Sequence, residues 1–380
     1  MKKILFSAGE ASGDLFASFV ITEMLKQAPE TKIIAFGGEY MKRAGAEIKI
    51  ELTKLAFMGF VEVGLNILKV VAAYMKAVRI LKKEKPDALV LVDYPGFNIK
   101  LMETAKKFGI KKIIYYSTPQ VWAWHYERIK KIKKNCDLII NILPFEKNIF
   151  EKEGIRAAYF GHPLAAILGQ LKDEKNVEGL RLKYGILPSE KAIGIFPGSR
   201  LRETKKFLPV LMTAAQIIKK EIPACKFFIF KADNIGLDII ATVLEKYPDV
   251  GAEIIGQTPD ARRMLDCAIA KSGTITLELA LLEVTEVIVY KLSEMSYKML
   301  KKMAKIKYIG LVNLILDKPV IKELIQHDFT AEKVSEEVLT LLKNDLYKAQ
   351  MLKDFKRLTE LLEDREGAAK TSAIILKELA

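Results

Sequence analysis

The stretch Lys3–Asp14 reads KILFSAGEASGD. Its first five residues, Lys3–Ser7, are mostly apolar and predict a short buried strand. Two glycines then let the backbone turn tightly, and the segment Leu15–Lys26 that follows has the apolar spacing of a helix. Strand, glycine turn and helix in this order are typical of a fold in which parallel strands alternate with helices.

The same alternation continues along the chain. Further strands are predicted in the first half at Lys32–Phe36, Ala88–Val92, Lys112–Tyr116, Leu138–Asn141 and Ala157–Phe160. After a polar, linker-like stretch near 165–180, strands are predicted at Ala192–Phe196, Lys226–Phe230, Glu253–Ile255, Cys267–Ala270 and Val287–Tyr290. The sequence therefore predicts an α/β protein of two doubly wound, Rossmann-like domains. From about Asp328 the pattern is helical and rich in Glu and Lys.

Composition narrows the classes of protein and of partner. The chain has 380 residues, 50% of them hydrophobic, which excludes a disordered protein. Its net charge of +14 favours an anionic partner such as nucleic acid, a phosphorylated metabolite or an acidic membrane surface. The cysteines, Cys136, Cys225 and Cys267, are far apart, predict no disulfide framework and fit a reducing compartment. We expect neither a signal peptide nor a transmembrane helix, because no apolar run is long enough.

In doubly wound folds, ligands bind beyond the carboxyl ends of the strands. The first such loop, Ser7–Asp14, is acidic, so it suits hydroxyl groups better than phosphate, and Ser12 or Asp14 is expected to cap the following helix. The second loop, Asp93–Asn98, places a carboxylate at a strand end beside Pro and Gly. Asp93 is therefore a candidate general base, and an ordinary Asx turn is the alternative.

Two loops in the second half have the features of phosphate sites. In Pro197–Arg200, glycine permits close backbone approach and arginine offers a forked donor. The loop Lys271–Thr274 precedes the predicted helix Ile275–Leu282, whose first amides would favour an anion. Glu278, one turn into that helix, could accept hydrogen bonds from ribose hydroxyls. Two ordinary strand–helix turns are the alternative.

The segment from Phe57 to Lys83 is amphipathic. One predicted face carries Val61, Gly64, Leu65, Leu68, Val71, Ala72, Met75 and Val78, and the other carries Glu62, Asn66, Lys69, Ala73 and Lys76. The apolar face either packs on a sheet or contacts lipid. Lysine-rich runs near residues 128–134 and 298–307 form either solvated faces or a footprint for anionic lipid or nucleic acid.

No metal or other cofactor is expected. The sequence has no Asp-x-Asp motif, and His125, His162 and His327 lie far apart. If a diphosphate leaves at this site, arginine and helix dipoles must stabilise it. His162 could be a base on chemical grounds, but a structural hydrogen-bonding role is the favoured interpretation.

Taken together and in order, these loops resemble the lipid-A-disaccharide synthase family over nearly the whole chain. The most specific segments are SAGEASGD and VWAW. The matching segments are Ser7–Asp14 (SAGEASGD), Ala56–Val63 (AFMGFVEV), Asp93–Asn98 (DYPGFN), Val121–Trp124 (VWAW), Leu143–Lys147 (LPFEK), Gly161–Pro163 (GHP), Pro197–Arg200 (PGSR) and Ser272–Glu278 (SGTITLE).

The resemblance implies a glycosyltransferase fold of the GT-B type, with two domains facing each other across a cleft. Residues 1–170 would form an acceptor-side, membrane-facing domain, 171–345 a UDP-sugar-binding domain, and 346–380 a helical tail returning to the first domain. The implied enzyme is inverting and metal-independent, and joins UDP-2,3-diacylglucosamine to 2,3-diacylglucosamine 1-phosphate. It releases UDP and the β-1,6-linked disaccharide 1-phosphate. The implied location is the cytoplasmic face of the inner membrane, on an anionic surface, with no nucleic acid partner and with oligomerisation left open.

The resemblance also assigns roles to residues. Asp93 is the first choice for the base and Glu10 the second. The acceptor side would include Gly9, Ser12 and Asn98, and the donor side Ser199, Arg200, Ser272, Gly273, Thr274, Glu278, Asn313 and Gln326. A membrane patch would comprise Phe60, Val61, Leu65, Leu68 and Val71. The remaining alternatives are another UDP-sugar transferase or epimerase of the same fold, and a basic protein that binds membranes or nucleic acid.

Overall fold

The computed structural model describes residues 2–56, 63–123, 126–173, 176–256, 258–295, 297–298 and 307–379. The chain divides into two compact units. The first comprises Met1–Ala166 with Asp364–Ala380, and the second comprises Ile167–Glu363.

The first unit is built on a seven-stranded, all-parallel sheet in the order β3-β2-β1-β4-β5-β6-β7. Its strands are β1 (Lys3–Ala8), β2 (Lys32–Gly37), β3 (Glu47–Glu51), β4 (Ala88–Val92), β5 (Lys112–Tyr116), β6 (Leu138–Asn141) and β7 (Ala157–Tyr159). Its helices are α1 (Ala11–Gln27), α2 (Glu39–Arg43), α3 (Thr53–Ala56), α4 (Val63–Glu84), α5 (Pro95–Lys107), α6 (Arg128–Asn135) and α7 (Glu146–Lys152), and α8 (Pro163–Asp173) crosses into the second unit.

The second unit has a six-stranded parallel sheet in the order β10-β9-β8-β11-β12-β13. Its strands are β8 (Lys191–Phe196), β9 (Cys225–Phe230), β10 (Glu253–Ile255), β11 (Cys267–Lys271), β12 (Thr285–Tyr290) and β13 (Glu323–Ile325). Its helices are α9 (Val177–Lys183), α10 (Leu201–Glu221), α11 (Leu237–Leu244), α12 (Thr274–Leu281), α13 (Leu311–Leu316), α14 (Ala331–Lys343) and α15 (Asp345–Leu362), with 3₁₀ turns at Pro248–Val250 and Asp260–Met264.

The prediction of two doubly wound α/β domains is confirmed. Every residue of β4 is buried, as expected for a parallel strand covered on both faces. In both sheets the strand order reverses beside the first strand, between β1 and β4 and between β8 and β11. This switch point is where such folds bind ligands. The sequence missed β3 and β13, which are edge strands with charged residues rather than apolar runs.

The C-terminal tail is split between the units. Helix α15 stays with the second unit, and the chain enters the first unit at Asp364, later than the boundary of 345 placed from sequence. Helix α16 (Gly367–Lys377) then packs against α1. Beyond it, the Glu378 carboxylate lies 2.9 Å from Lys112 Nζ and 2.7 Å from Arg156 Nη2. These contacts hold the end of the chain on the first unit.

Helix α4 does not bury the apolar face predicted from its sequence. Leu68, Val71 and Met75 are 75%, 51% and 49% exposed. The helix is instead buried through Ala73, Ala77 and Leu81, spaced four residues apart. The sequence analysis placed Ala73 on the polar side, because it assigned the buried face from the large apolar residues and not from the alanines. Alanine permits the close approach of a neighbouring helix, here α5. Phe60, Val61 and the side chain of Leu65 lie outside the described residues.

Glu286 in β12 is a buried carboxyl group whose desolvation is not offset by any hydrogen bond from the described residues. It is fully buried, and neither carboxylate oxygen has a hydrogen-bond partner among the described residues. Burial raises the pKa of this carboxyl well above its ordinary value, so folding favours its neutral form. In the unfolded chain it ionises above about pH 4.3. Folding stability therefore falls as pH rises beyond that value.

We expect Glu286→Met to raise the free energy of unfolding by about 1–3 kcal/mol at pH 7, the usual cost of a buried unpaired polar group. Urea titration at pH 5 and pH 8 measures the gain, which should be larger at pH 8. Glu336→Met, an exposed change on α14, should stay within about 0.5 kcal/mol of wild type. A destabilised Glu286→Met protein would show that this carboxyl has a partner.

Candidate active site

In the first unit, the loops after β1 and β4 are in contact at the switch point. A Cβ atom on Gly9 would collide with the ring of Tyr94, so only glycine fits there. One residue further, Glu10 is exposed and immediately precedes α1. Ser12, in the first turn of α1, is partly exposed. The structure therefore brings the SAGEASGD and DYPGFN segments to one place.

Asn98 holds the two strand ends together. It is fully buried, and its Nδ2 donates to the carbonyl oxygens of Ser7, Val92 and Asp93 at 3.1, 3.1 and 2.8 Å. Its Oδ1 accepts from the Ser7 hydroxyl at 2.7 Å. Because these bonds use both ends of the amide, Asn98 positions the loops from beneath. Its predicted place on the acceptor side of the site stays a prediction.

The backbone at Asp93 is strained. Asp93 and Tyr94 have φ of 45° and 48°, a left-handed conformation that costs a non-glycine residue about 1–3 kcal/mol. Ser117, at the end of neighbouring β5, has φ of 53°. Its carbonyl accepts the Asp93 N–H at 2.9 Å, and the Tyr115 hydroxyl donates to the Asp93 carbonyl at 2.9 Å. Strain retained by such bonds is typical of functional sites.

The carboxyl of Asp93 has a pKa near neutrality. Burial raises its pKa to about 7, the negative charge of Glu10 adds to the rise, and a hydrogen bond from the Tyr94 N–H opposes it. A base whose pKa lies near neutrality suits proton transfer at that pH. The two carboxylates predicted from sequence as alternatives thus act on each other.

Asp14, the last residue of the SAGEASGD segment, lies in the first turn of α1 and does not cap that helix as predicted. It is buried, and its oxygens accept from the N–H groups of Gly38 at 2.8 Å and Tyr40 at 2.9 Å. These groups open α2, so Asp14 caps that helix across the β1–β2 junction. The N-terminus of α1 has no side-chain cap.

A second buried carboxyl was missed by the sequence analysis. Glu146 accepts hydrogen bonds from Trp122 Nε1 at 3.0 Å and from the Leu143 N–H at 3.2 Å. Burial raises its pKa to about 7, and the charge of Asp93 adds to the rise. The bond joins the VWAW and LPFEK segments, which sequence singled out without a role. Trp124 and His125 lie outside the described residues.

His162 matches the structural role favoured from sequence. It is buried, its Nδ1 accepts the Leu164 N–H at 3.2 Å, and its ring packs edge-on against Phe16. Burial lowers its pKa to about 3, so the imidazole is neutral at physiological pH.

In the second unit, the neighbouring strands β8 and β11 run into the two predicted phosphate loops. Ser199 and Arg200 follow β8 and are exposed, as are Gly273 and Thr274 after β11. Helices α10 and α12 start directly behind these loops, so their first amides point toward this edge of the sheet. Gly198 has φ of 109°, a conformation that requires glycine. The partial positive charge at two helix starts favours an anion.

The side chains of Ser272 and Glu278 both contact residues of the second unit. The Ser272 hydroxyl donates to the Ile309 carbonyl at 3.2 Å. The Glu278 carboxylate pairs with Arg262, which is 3% exposed. This ion pair orients Glu278 one turn into α12, where an acceptor for ribose hydroxyls was predicted.

Asn313 and Gln326 are structural in their described contacts. Asn313 is fully buried, accepting from the N–H groups of Val320 and Ile321 and donating to the Ile321 carbonyl and Glu323. Gln326 accepts from the Leu292 N–H at 2.6 Å and donates to Glu294 at 3.2 Å. Their predicted place in a donor pocket stays a prediction.

Two observations concern the described ranges as a whole. Within them, no three His, Cys, Asp or Glu side chains lie close enough together to hold a metal ion. No helix among them is both long and apolar enough to cross a bilayer.

Two doubly wound α/β units in one chain, each built on a parallel sheet, are typical of enzymes with the GT-B fold. Solved structures of this class superpose on the full chain. UDP-GlcNAc 2-epimerase from Neisseria meningitidis, bound to UDP-GlcNAc, matches with a TM-score of 0.66 at 14% identity, over 100% of this chain and 99% of that one. The Methanocaldococcus jannaschii UDP-GlcNAc 2-epimerase matches with 0.62 at 12%, over 99% and 100%. Identities this low establish the fold alone.

Sequence comparison gives the family. A family model described as lipid-A-disaccharide synthetase matches residues 4–377. The lipid-A-disaccharide synthase of Coxiella burnetii is 36% identical over 379 residues, covering 100% of this chain and 98% of the relative. That of Trichlorobacter lovleyi is 34% identical over 366 residues, covering 96% and 94%. The chain belongs to the lipid-A-disaccharide synthase family, and is a glycosyltransferase of lipid A biosynthesis.

Because the negative charge of Glu10 raises the pKa of Asp93, we predict how kcat/KM depends on pH. If Asp93 is the base, kcat/KM rises with pH as its carboxyl ionises near pH 7. Glu10→Gln removes a neighbouring negative charge, so the acid limb of the kcat/KM profile should move to lower pH while the plateau remains. Glu30→Gln, an exposed change after α1, should leave the profile in place. A loss of about 10²-fold or more at every pH in Glu10→Gln would make Glu10 the base instead.

Proposed function

We propose that this chain joins UDP-2,3-diacylglucosamine to 2,3-diacylglucosamine 1-phosphate in one inverting displacement. The observation that carries the proposal is the Asp93 carboxyl, held on a strained strand end with a pKa of about 7. It is accompanied by the exposed Glu10 in one unit and by the loops at Arg200 and Thr274 in the other. Family membership supports the substrates.

The proposed step is a proton transfer coupled to substitution. The 6-hydroxyl oxygen of the acceptor attacks C1 of the donor sugar and forms the new glycosidic bond. The bond from C1 to the diphosphate oxygen breaks, and its electron pair leaves with UDP. The hydroxyl proton passes to the Asp93 carboxylate. Because the attack comes from the face opposite UDP, the α-linked donor gives a β-linked product.

The leaving diphosphate needs stabilisation as its charge grows. We assign this role to Arg200, Ser199 and the first amides of α12, beginning at Thr274. The Arg200 side chain is 59% exposed, so its guanidinium can reach a ligand beyond the loop. Glu278 would accept the ribose hydroxyls. In this proposal no metal ion takes part.

The reaction is tested by mixing the protein with both substrates in detergent, with EDTA present, and detecting UDP and the acylated disaccharide by mass spectrometry. We expect both products. Asp93→Asn should cut turnover by roughly 10²–10⁴-fold, the range for loss of a general base, with UDP affinity unchanged. Asp249→Asn, an exposed change in the second unit, is the control. UDP without disaccharide, or a requirement for metal, would contradict the proposal.

We further propose that the chain lies peripherally on the cytoplasmic face of the inner membrane, bound through α4. The exposed apolar side chains of Leu68, Val71 and Met75 support this, since each could bury its surface in the lipid interface. Exposed cations on the same helix, at Lys69 and Lys76 among others, add about 1 kcal/mol each on an anionic surface. A site at the interface also suits acylated substrates.

Replacing Leu68, Val71 and Met75 together by Ser should weaken binding to anionic vesicles at least about tenfold, because their apolar area no longer enters the lipid. Vesicle co-sedimentation measures the effect. The free energy of unfolding should change by less than about 1 kcal/mol, since all three are exposed. The control replaces the exposed Leu182, Leu237 and Leu346 of the second unit by Ser. Unchanged vesicle binding by the first triple variant would remove α4 as the anchor.

A further inference from the structure

Lys271, the last residue of β11, carries an ammonium group that its own unit does not satisfy. Its side chain is 16% exposed, and its Nζ lies 3.2 Å from Glu203 Oε1. Nζ also lies 5.3 Å from the centroid of the Tyr290 ring. An ammonium group has three N–H donors, so two lack an oxygen acceptor among the described residues. Burial lowers the pKa of Lys271, which marks the loss of hydration.

The position of Lys271 relates it to the PGSR loop. Its Cδ lies 3.6 Å from where a Cβ on Gly198 would be, so its stem runs alongside that loop. Glu203, in the first turn of α10, also lies within 3.4 Å of Arg200 Nη1 through the same oxygen, Oε1. One carboxylate thus gathers two cations from neighbouring strand ends. The three groups together carry one excess positive charge.

We propose that Lys271 is a second phosphate-binding cation of the donor site, acting beside Arg200, and that Glu203 positions both. The inference rests on the donor site proposed above. The two unsatisfied N–H donors would bind oxygens of the nucleoside diphosphate, and the 59% exposed Arg200 would bind it from the neighbouring loop. Glu203 does not touch the ligand in this arrangement. Its Oε2 is buried and has no hydrogen-bond partner in the described part of the chain, whereas both cations lie at Oε1.

The alternative is that Lys271 only pairs with Glu203 for stability. The two roles differ in ligand dependence. A phosphate-binding lysine affects UDP and leaves uridine untouched, whereas a structural lysine affects neither or both. Titration calorimetry of the full chain with UDP and with uridine, without lipid substrates, separates them.

We expect Lys271→Gln to weaken UDP binding at least about tenfold with uridine affinity unchanged, and Lys271→Arg to retain most UDP affinity. Lys205→Gln, which removes an exposed cation from α10, should bind both ligands as wild type does. Glu203→Gln/Lys271→Gln removes the ion pair as a unit and leaves no buried charge behind, so it replaces the single variant if that does not fold. It should show the same selective loss.

The inference would be overturned if Lys271→Gln and the double variant bound UDP as tightly as wild type does. It would also be overturned if the folded double variant lost uridine binding to the same extent as UDP binding. A wild-type protein that binds UDP no better than uridine would overturn both the inference and the proposed donor site. If UDP binds but no disaccharide forms, the proposed reaction fails, while the variants still decide the role of Lys271.

Discussion

The four hydrogen bonds of the Asn98 amide are the constraint on which the first site depends. They join the ends of β1 and β4, the two strands between which the sheet reverses its order. Because Asn98 holds the Asp93 carbonyl, it also stabilises the left-handed backbone that follows β4. Fully satisfied buried networks of this kind are rigid and tolerate little displacement. The carboxyl of Asp93 is thereby presented beside Glu10 at a fixed place.

In the proposed reaction, the two units divide the electrostatic tasks of a displacement at a sugar carbon. The first contains the carboxyl groups of Glu10, Asp93 and Glu146, where the proposal has a proton taken up. The second contains the cations Arg200 and Lys271 and two helix starts, where the proposal has a diphosphate leave. Neither arrangement would serve the other's purpose, because an acidic loop repels phosphate and a cationic one depresses the pKa of a base. The similar folds therefore carry opposite chemistry in their strand-end loops.

Much of this could be predicted from sequence. Short apolar runs that alternate with helical patterns predict most of the buried parallel strands, and the loops after them contain Asp93 and Arg200. Two side-chain contacts could not be predicted, that between Trp122 and Glu146 and that between Glu203 and Lys271. Residues of each pair come from different loops or elements, which meet only once the strand order is known. Asp14 was expected to cap α1 but instead accepts from the N–H groups that open α2, a pairing that the sequence does not reveal. The face of α4 was misassigned because packing selected alanines over larger side chains.

Three buried carboxyls of this chain show why burial alone does not indicate function. Desolvation raises the pKa of Glu286, Asp93 and Glu146 alike. At Glu286 no hydrogen bond opposes the rise, since both oxygens lack a partner among the described residues. At Asp93 and Glu146, N–H donors to the carboxylate oppose desolvation, and the pKa lies at about 7. A carboxyl can exchange protons near neutrality only when desolvation and donation nearly balance. That balance at the strand ends of the first unit, and its absence in β12, is why the proposed mechanism uses Asp93 and not Glu286.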